Sequence, residues 1–137
     1  MTDFAAHEEL IARFDAYYES AGSVPLRALE QRAFGCDYGG NSYTDIEGAR
    51  VLLDLLGLDE SCTLLDVGTG AGWPGLFLAK ESGCQAILTD VAAAGLQFAR
   101  ARAIDEGIRA EAVNAIGTDI PFRVSSFDAV THSDVLC

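Results

Sequence analysis

The length, composition and charge of the chain already exclude several classes of protein. Its 137 residues, half of them hydrophobic and 9% aromatic, are enough for one domain with a core of its own, so a disordered protein is not expected. The balance of 21 acidic against 9 basic residues gives a formal net charge of -12, which would repel a phosphate backbone, so no nucleic-acid partner is expected.

The N-terminal part of the sequence predicts two helices separated by a loop rich in turn formers. Residues 4 to about 20 place acids between apolar positions in an amphipathic helical pattern. The loop is GCDYGGNSY, residues 35–43. Thr44-x-x-Glu47 then matches a capping box, which predicts a helix from there to Gly57.

From residue 62 onward the hydrophobic pattern is that of strands alternating with helices. Four strands are predicted, at 62–67, 84–90, 110–115 and 126–136, and the first two are almost continuously apolar. Helices are predicted between the first three strands, over 73–82 with Pro74 in the first turn and over 91–106. This alternation predicts an α/β fold with a parallel sheet covered on both sides.

The cysteines and the N-terminus indicate a cytoplasmic protein without a metal. No two cysteines form a C-x-x-C pair, and only two histidines could join them as ligands, so reduced thiols are predicted. The cysteines are Cys36, Cys62, Cys84 and Cys137, and the histidines are His7 and His132. No basic region with an apolar run opens the sequence, and no apolar stretch approaches the roughly 20 residues of a membrane span.

Three glycines alternate after the first predicted strand, in LLDVGTGAGWPG, residues 64–75. A strand, a loop of small residues and a helix N-terminus form a site where a ligand can contact backbone N–H groups at the carboxyl edge of a sheet. A tight turn with positive φ would explain one of Gly68, Gly70 and Gly72 well, but not all three. The dinucleotide fingerprint G-x-G-x-x-G does not match, because its third glycine would fall at Trp73.

An acid precedes the glycines in the pattern Asp66-x-Gly68-x-Gly70-x-Gly72, and with it the chain resembles the class I S-adenosylmethionine-dependent methyltransferases. The resemblance covers residues 62–137. It includes an acid ending the second strand, Asn-Ala after the third strand, and the segments IPF and SFDAV leading into the fourth. It implies a Rossmann-like parallel sheet with helices on both faces, preceded by N-terminal helices, and the cofactor S-adenosyl-L-methionine.

The resemblance also implies roles for individual residues. The glycine loop would wrap the methionine part of the cofactor, with Asp66 close to its amino group. Asp90 would accept hydrogen bonds from both ribose hydroxyls. Asn114 stands where the family often has an acid near the adenine amino group, and its carbonyl can still accept that bond. The implied cofactor contacts are Asp66, Gly68, Thr69, Gly70, Gly72, Asp90, Val91, Asn114, Ala115 and Ser133.

Methyl transfer is the implied reaction, and positioning of the acceptor can supply much of its rate. If the acceptor must lose a proton, His132 at the end of the fourth strand is the candidate base, against the alternative of a packed or solvent-facing histidine. The segment THSD, residues 131–134, lacks the Asn/Asp-Pro-Pro-aromatic motif seen where the family methylates amino groups of bases. Together with the charge, this favours a small-molecule acceptor.

The family commonly uses N-terminal helices as a lid over cofactor and acceptor. Residues 1–43 are therefore interpreted as a helical lid region and 44–137 as the cofactor-binding core. Four tyrosines could line such a lid, although ordinary packing explains the presence of each one equally well. Tyr38 and Tyr43 are better placed than Tyr17 and Tyr18, because they lie in the loop just before the core.

The family fold continues beyond a fourth strand, so the sequence resembles the cofactor-binding half of a larger protein, truncated after that strand. The open edge of the fourth strand predicts self-association of the chain. Two other functions stay open at this point. One is a nicotinamide-dependent oxidoreductase, which is disfavoured because Trp73 stands at the third glycine of the dinucleotide fingerprint. The other is a module that binds the cofactor without catalysis.

Overall fold

A computed structural model describes residues 3–38, 43–133 and 135 of the chain. Helices precede a series of strands and helices in the order α1 Asp3–Ala21, α2 Val24–Phe34, α3 Ile46–Leu56, β1 Thr63–Val67, α4 Gly75–Ser82, β2 Gln85–Asp90, α5 Ala93–Glu106, β3 Ala110–Asn114 and β4 Ala129–His132. None of the helices described is both long enough and apolar enough to cross a membrane.

The four strands form one parallel sheet in the order β3-β2-β1-β4. Strand β1 pairs with β2, where Thr63 lies opposite Gln85, and with β4, where Leu64 lies opposite Ala129. The chain steps outward from β1 to β3 and then returns to the other side of β1. This confirms the predicted Rossmann-like sheet, with a topological switch point between β1 and β4.

The core lies between one face of this sheet and helices α3, α4 and α5. Leu64 and Leu88 of the central strands are fully buried in a cluster with Ala49 of α3, Leu76 of α4 and Ala99 of α5. The crossovers through α4 and α5 step in the same direction along the sheet, and right-handed crossovers of that kind place both helices on one face.

The opposite face of the sheet is approached by the connection between β3 and β4. A Cβ atom on Gly117 of that connection would stand 3.5 Å from a methyl carbon of Val67. Val130, which points to the same face from β4, is 56% exposed. Among the described elements, helices cover the first face, and this irregular segment is what reaches the second.

The helices differ from the predicted ones in four places, one of which is α5, which begins at Ala93 and not at residue 91. Helix α2 is an addition to the predicted elements, and its apolar residues Val24, Leu26 and Leu29 are exposed and not packed in the core. Helix α3 is capped by Asp45, whose carboxylate accepts a hydrogen bond from Gly48 N at 2.8 Å. The predicted cap at Thr44 is wrong, since the Thr44 hydroxyl lies 2.6 Å from the Ser133 hydroxyl instead. Helix α4 begins at Gly75, two residues later than predicted, with Pro74 as its N-cap.

Strand β4 is shorter than the predicted 126–136. It begins after Asp128, whose carboxylate accepts a hydrogen bond from Thr63 N at 2.7 Å and so closes the turn before the strand. Its last pair is His132 with Val67, where β1 itself ends. The predicted residues 134, 136 and 137 lie outside the described part of the chain, as do residues 39–42 of the predicted loop.

Candidate functional site

The glycine loop between β1 and α4 lies at the carboxyl end of the sheet, beside the switch point. Gly68, Gly70 and Gly72 have φ angles of 71°, 56° and 107°, which residues with a side chain rarely adopt, so positive φ accounts for all three glycines and not for one alone. A Cβ atom on Gly68 would collide with Val135, and one on Gly70 would collide with the hydroxyl of Tyr18 in α1. The loop is therefore bare backbone that other parts of the chain approach closely.

Three N–H groups of this loop, those of Gly68, Thr69 and Gly70, are bound to β2. Gly68 N and Thr69 N both donate to Thr89 O, at 2.8 and 3.0 Å, and Gly70 N donates to a carboxylate oxygen of Asp90 at 2.8 Å. These bonds fasten the loop to β2. A ligand over the loop therefore finds these three N–H groups already bound in this structure.

Asp66 lies beneath the loop and is completely buried. Its Oδ2 accepts hydrogen bonds from Thr69 Oγ1 at 2.7 Å and Gly75 N at 3.0 Å, and its Oδ1 accepts one from Thr131 Oγ1 at 2.7 Å. Burial raises the pKa of this carboxyl to about 6, while the three hydrogen bonds act in the opposite direction. The side chain therefore joins β1, β4, the loop and the start of α4.

Asp90 connects the loop to the turn after β2. One oxygen accepts the hydrogen bond from Gly70 N, and the other accepts one from Ala92 N at 2.8 Å. An ionised carboxylate has about four acceptor positions, so Asp90 can accept further bonds from a ligand. Such bonds are within reach because the side chain lines the large cavity above the loop.

This cavity has a volume of about 480 Å³, within the range of roughly 300 to 1,000 Å³ typical of small-molecule and cofactor sites. Its base is formed by the glycine loop and the ends of the central strands, and side chains of α1 cover it. The predicted site residues that line it are Gly68, Thr69, Gly70, Asp90, Val91, Ala115, Ser133 and Tyr43. In the parts of the chain that are described, no group of His, Cys, Asp and Glu could hold a metal ion.

Two predicted cofactor contacts besides Asp66 lie outside the lining of this cavity. Gly72 faces the core, where a Cβ atom would collide with Leu76. Asn114 uses its Nδ2 to donate to the carbonyl oxygens of Asp90 and Val91, at 2.9 and 3.0 Å. Like Asp66, these residues shape the walls of the site, and in this structure their side chains do not reach into it.

The predicted base and one predicted lid residue also lie elsewhere. The side chain of His132 is exposed at the end of β4, outside the cavity lining. Tyr38 packs against Trp73, with ring centroids 5.1 Å apart, and the Arg102 guanidinium lies 4.3 Å from its ring centroid. It borders a second, smaller cavity of about 210 Å³ between the N-terminal helices and α5.

Helix α1 supplies the part of the site that the sequence analysis assigned least well. Arg13, Phe14, Tyr17 and Tyr18 all line the large cavity. Burial raises the pKa of the Tyr18 hydroxyl far above its usual value, and the charge of Asp90 adds to the effect. The spacing of these residues, at i, i+1, i+4 and i+5, puts them on one side of a helix, a signal that could have identified this face.

Comparison with known proteins identifies the family. A model of the methyltransferase domain matches residues 64–137, more than half of the chain. The chain belongs to this methyltransferase domain family. A search of curated proteins by sequence found no match.

Solved structures with the fold of this methyltransferase domain include proteins that act on different substrates. A SAM-dependent methyltransferase from Aquifex aeolicus is 28% identical, with a TM-score of 0.55 over 61% of this chain and 46% of that one. Geranyl diphosphate methyltransferase, in complex with GPP and sinefungin, is 27% identical, with a TM-score of 0.60 over 64% and 34%. An RNA methyltransferase from Salinibacter ruber, in complex with S-adenosyl-L-homocysteine, is 22% identical, with a TM-score of 0.60 over 65% and 58%. The methyltransferase domain described here spans less than two thirds of each of these proteins.

Proposed function

We propose that this methyltransferase domain binds S-adenosyl-L-methionine and serves the transfer of its methyl group to a small-molecule acceptor. The observation that carries the proposal is the glycine loop at the switch point, with Gly68 and Gly70 at positive φ and Asp90 beside them, all lining one cavity of about 480 Å³. Membership of the methyltransferase domain family supports it.

The residues of the cavity fit this cofactor. Glycine at positions 68 and 70 lets Val135 and Tyr18 approach the loop without collision, and the cavity that these residues line has a volume of about 480 Å³, enough for a cofactor of this size. Asp90 has acceptor positions left for two ribose hydroxyls. Val91 and Ala115 are small apolar residues beside it, suited to the flat adenine ring.

The protein's contribution in this proposal is binding, orientation and exclusion of water. The cofactor supplies an activated methyl group on a sulfonium, so the chain needs no strong acid or base of its own. Asp66 holds the glycine loop in place from below, and the aromatic side chains of α1 cover the cavity from above. The proposal does not depend on His132.

A small-molecule acceptor is supported by charge and by sequence. The formal net charge of -12 disfavours a polyanion, and residues 131–134 lack the motif seen where amino groups of bases are methylated. The fold does not decide the question, because its relatives include a geranyl diphosphate methyltransferase and an RNA methyltransferase.

Isothermal titration calorimetry with S-adenosylmethionine and S-adenosylhomocysteine tests the proposal directly. We expect micromolar binding of at least one of them, and no comparable binding of reduced nicotinamide dinucleotide. A folded chain that binds neither compound would contradict the proposal. Release of S-adenosylhomocysteine with a panel of small acceptors then separates a catalyst from a protein that only binds the cofactor.

A further inference from the structure

The large cavity contains a positive charge that the function proposed above does not use. Although acids outnumber bases 21 to 9 in the chain, the described lining has a single basic side chain, Arg13, and a single acidic one, Asp90. The Asp90 carboxylate already accepts hydrogen bonds from two backbone N–H groups. Within the described residues, Arg13 forms no ion pair or hydrogen bond.

Aromatic side chains line the same cavity as this arginine. Phe14 and Tyr17, its neighbours on α1, line the cavity and are 43% and 36% exposed. Trp73 also lines the cavity, although it is only 5% exposed, and because its Nε1 donates to Thr44 O at 2.7 Å the part of the ring that borders the cavity is apolar. The site thus offers flat apolar walls and one cation.

We propose that Arg13 is an anion-binding residue of this cavity and pairs with the carboxylate of a ligand whose apolar part packs on these aromatic side chains. The planar guanidinium matches a carboxylate with two parallel hydrogen bonds. Two sources of the carboxylate fit this chemistry. One is the amino-acid part of the cofactor, and this assignment rests on the proposed function. The other is an acceptor that is an aromatic carboxylate.

The first arm of the test compares Arg13→Gln with Arg50→Gln, which removes the same charge from the exposed face of α3. Calorimetry measures the affinity of each protein for S-adenosylhomocysteine and for 5′-methylthioadenosine, which lacks the amino-acid part. If the carboxylate is the cofactor's, R13Q weakens only S-adenosylhomocysteine, by about tenfold or more. R50Q changes neither affinity.

The second arm uses 4-hydroxybenzoate and its neutral analogue 4-hydroxybenzamide, each added with and without 5′-methylthioadenosine. If the carboxylate belongs to the acceptor, wild type binds the benzoate more tightly than the benzamide. R13Q then removes that preference, while R50Q retains it. A positive result in either arm supports the role of Arg13. The arm that gives it shows whether the cofactor or the acceptor supplies the carboxylate.

Three results separate this proposal from the proposed function. If R13Q binds every carboxylate probe as wild type does, the role of Arg13 is overturned and the cofactor site stands. If wild type binds no nucleoside but binds 4-hydroxybenzoate through Arg13, the anion site stands and the proposed function fails. If wild type binds none of the four probes, both are overturned.

Discussion

Asp66 and Asp90 are carboxylates at the ends of neighbouring strands, yet they bind different donors and face different surroundings. Asp66 is sealed under the loop, where two threonine hydroxyls and one N–H group satisfy it. Asp90 is half-buried, binds two N–H groups and lines the cavity. At the scale of single residues, the first carboxylate therefore shapes the loop and the second is available to a ligand.

The pKa of Asp66 makes stability depend on pH in a predictable direction. Its value of about 6 in the folded chain exceeds the usual value of about 3.9, so folding favours the protonated form. This contribution to stability is fully present below about pH 4 and is lost as the pH rises through about 6. Urea denaturation gives the free energy of unfolding of wild type and of Asp66→Asn at each pH. We expect the value for wild type minus the value for Asp66→Asn to fall by about 1 to 2 kcal/mol between pH 4.5 and 7.5. A difference between the two proteins that does not change with pH would contradict this.

Gly70 and Gly57 form a matched pair for testing why the loop needs glycine. Their φ angles are 56° and 58°, but a Cβ atom on Gly70 would collide with Tyr18, whereas one on Gly57 would have no atom within 4 Å. Gly57→Ala is expected to lose about 1 to 2 kcal/mol of stability, from backbone conformation alone. Gly70→Ala is expected to lose about 1 kcal/mol more and at least about tenfold in affinity for S-adenosylhomocysteine. Equal losses of stability, with affinity retained in both, would show that Tyr18 and the loop do not matter for binding.

At the scale of elements, helix α1 is held to the core by a cap that it supplies to another helix. The N-cap of α5 is Ala92, which has no side-chain acceptor. Asp15 of α1 provides one, because its Oδ1 accepts a hydrogen bond from Ala94 N at 2.8 Å. The same turn of α1 carries the side chains that cover the cavity, so this bond couples the start of α5 to the covering of the site.

Removal of this cap should affect both stability and binding. Asp15→Ala is expected to cost about 1 kcal/mol, the usual value for a helix cap, and to weaken binding of S-adenosylhomocysteine because α1 is held less firmly. Asp45→Ala is the control, since Asp45 caps α3 with a bond of the same 2.8 Å length and does not itself line the cavity. It should lose similar stability in thermal unfolding without a change in affinity. If both variants bind like wild type, α1 does not take part in binding.

At the scale of the whole molecule, the sheet was predictable and the covering of the site was not. The strands could be identified because residues 62–67 and 84–90 are apolar runs, and the glycines after the first run mark the loop. Asp15 could not be assigned, because its role depends on how α1 packs on α5, a contact between residues about 80 positions apart. Asp66 was expected in the cavity, since the sequence reveals the acid but not which face of β1 it occupies.

Self-association remains a prediction for the whole molecule. Among the described residues, β4 pairs only with β1, and Val130 beside its free edge is 56% exposed. We expect light scattering to show dimers or larger species as the concentration rises, and Val130→Lys to shift the chain toward monomer by adding charge at that edge. A monodisperse monomer at high concentration would rule the association out.

The position of Trp73 has a practical consequence. It is the only tryptophan in the sequence, it is 5% exposed, and it forms part of the wall of the large cavity. All indole fluorescence of this chain therefore originates in the wall of the cavity. Its emission gives an intrinsic optical signal of occupancy, without any label attached to the chain or the ligand.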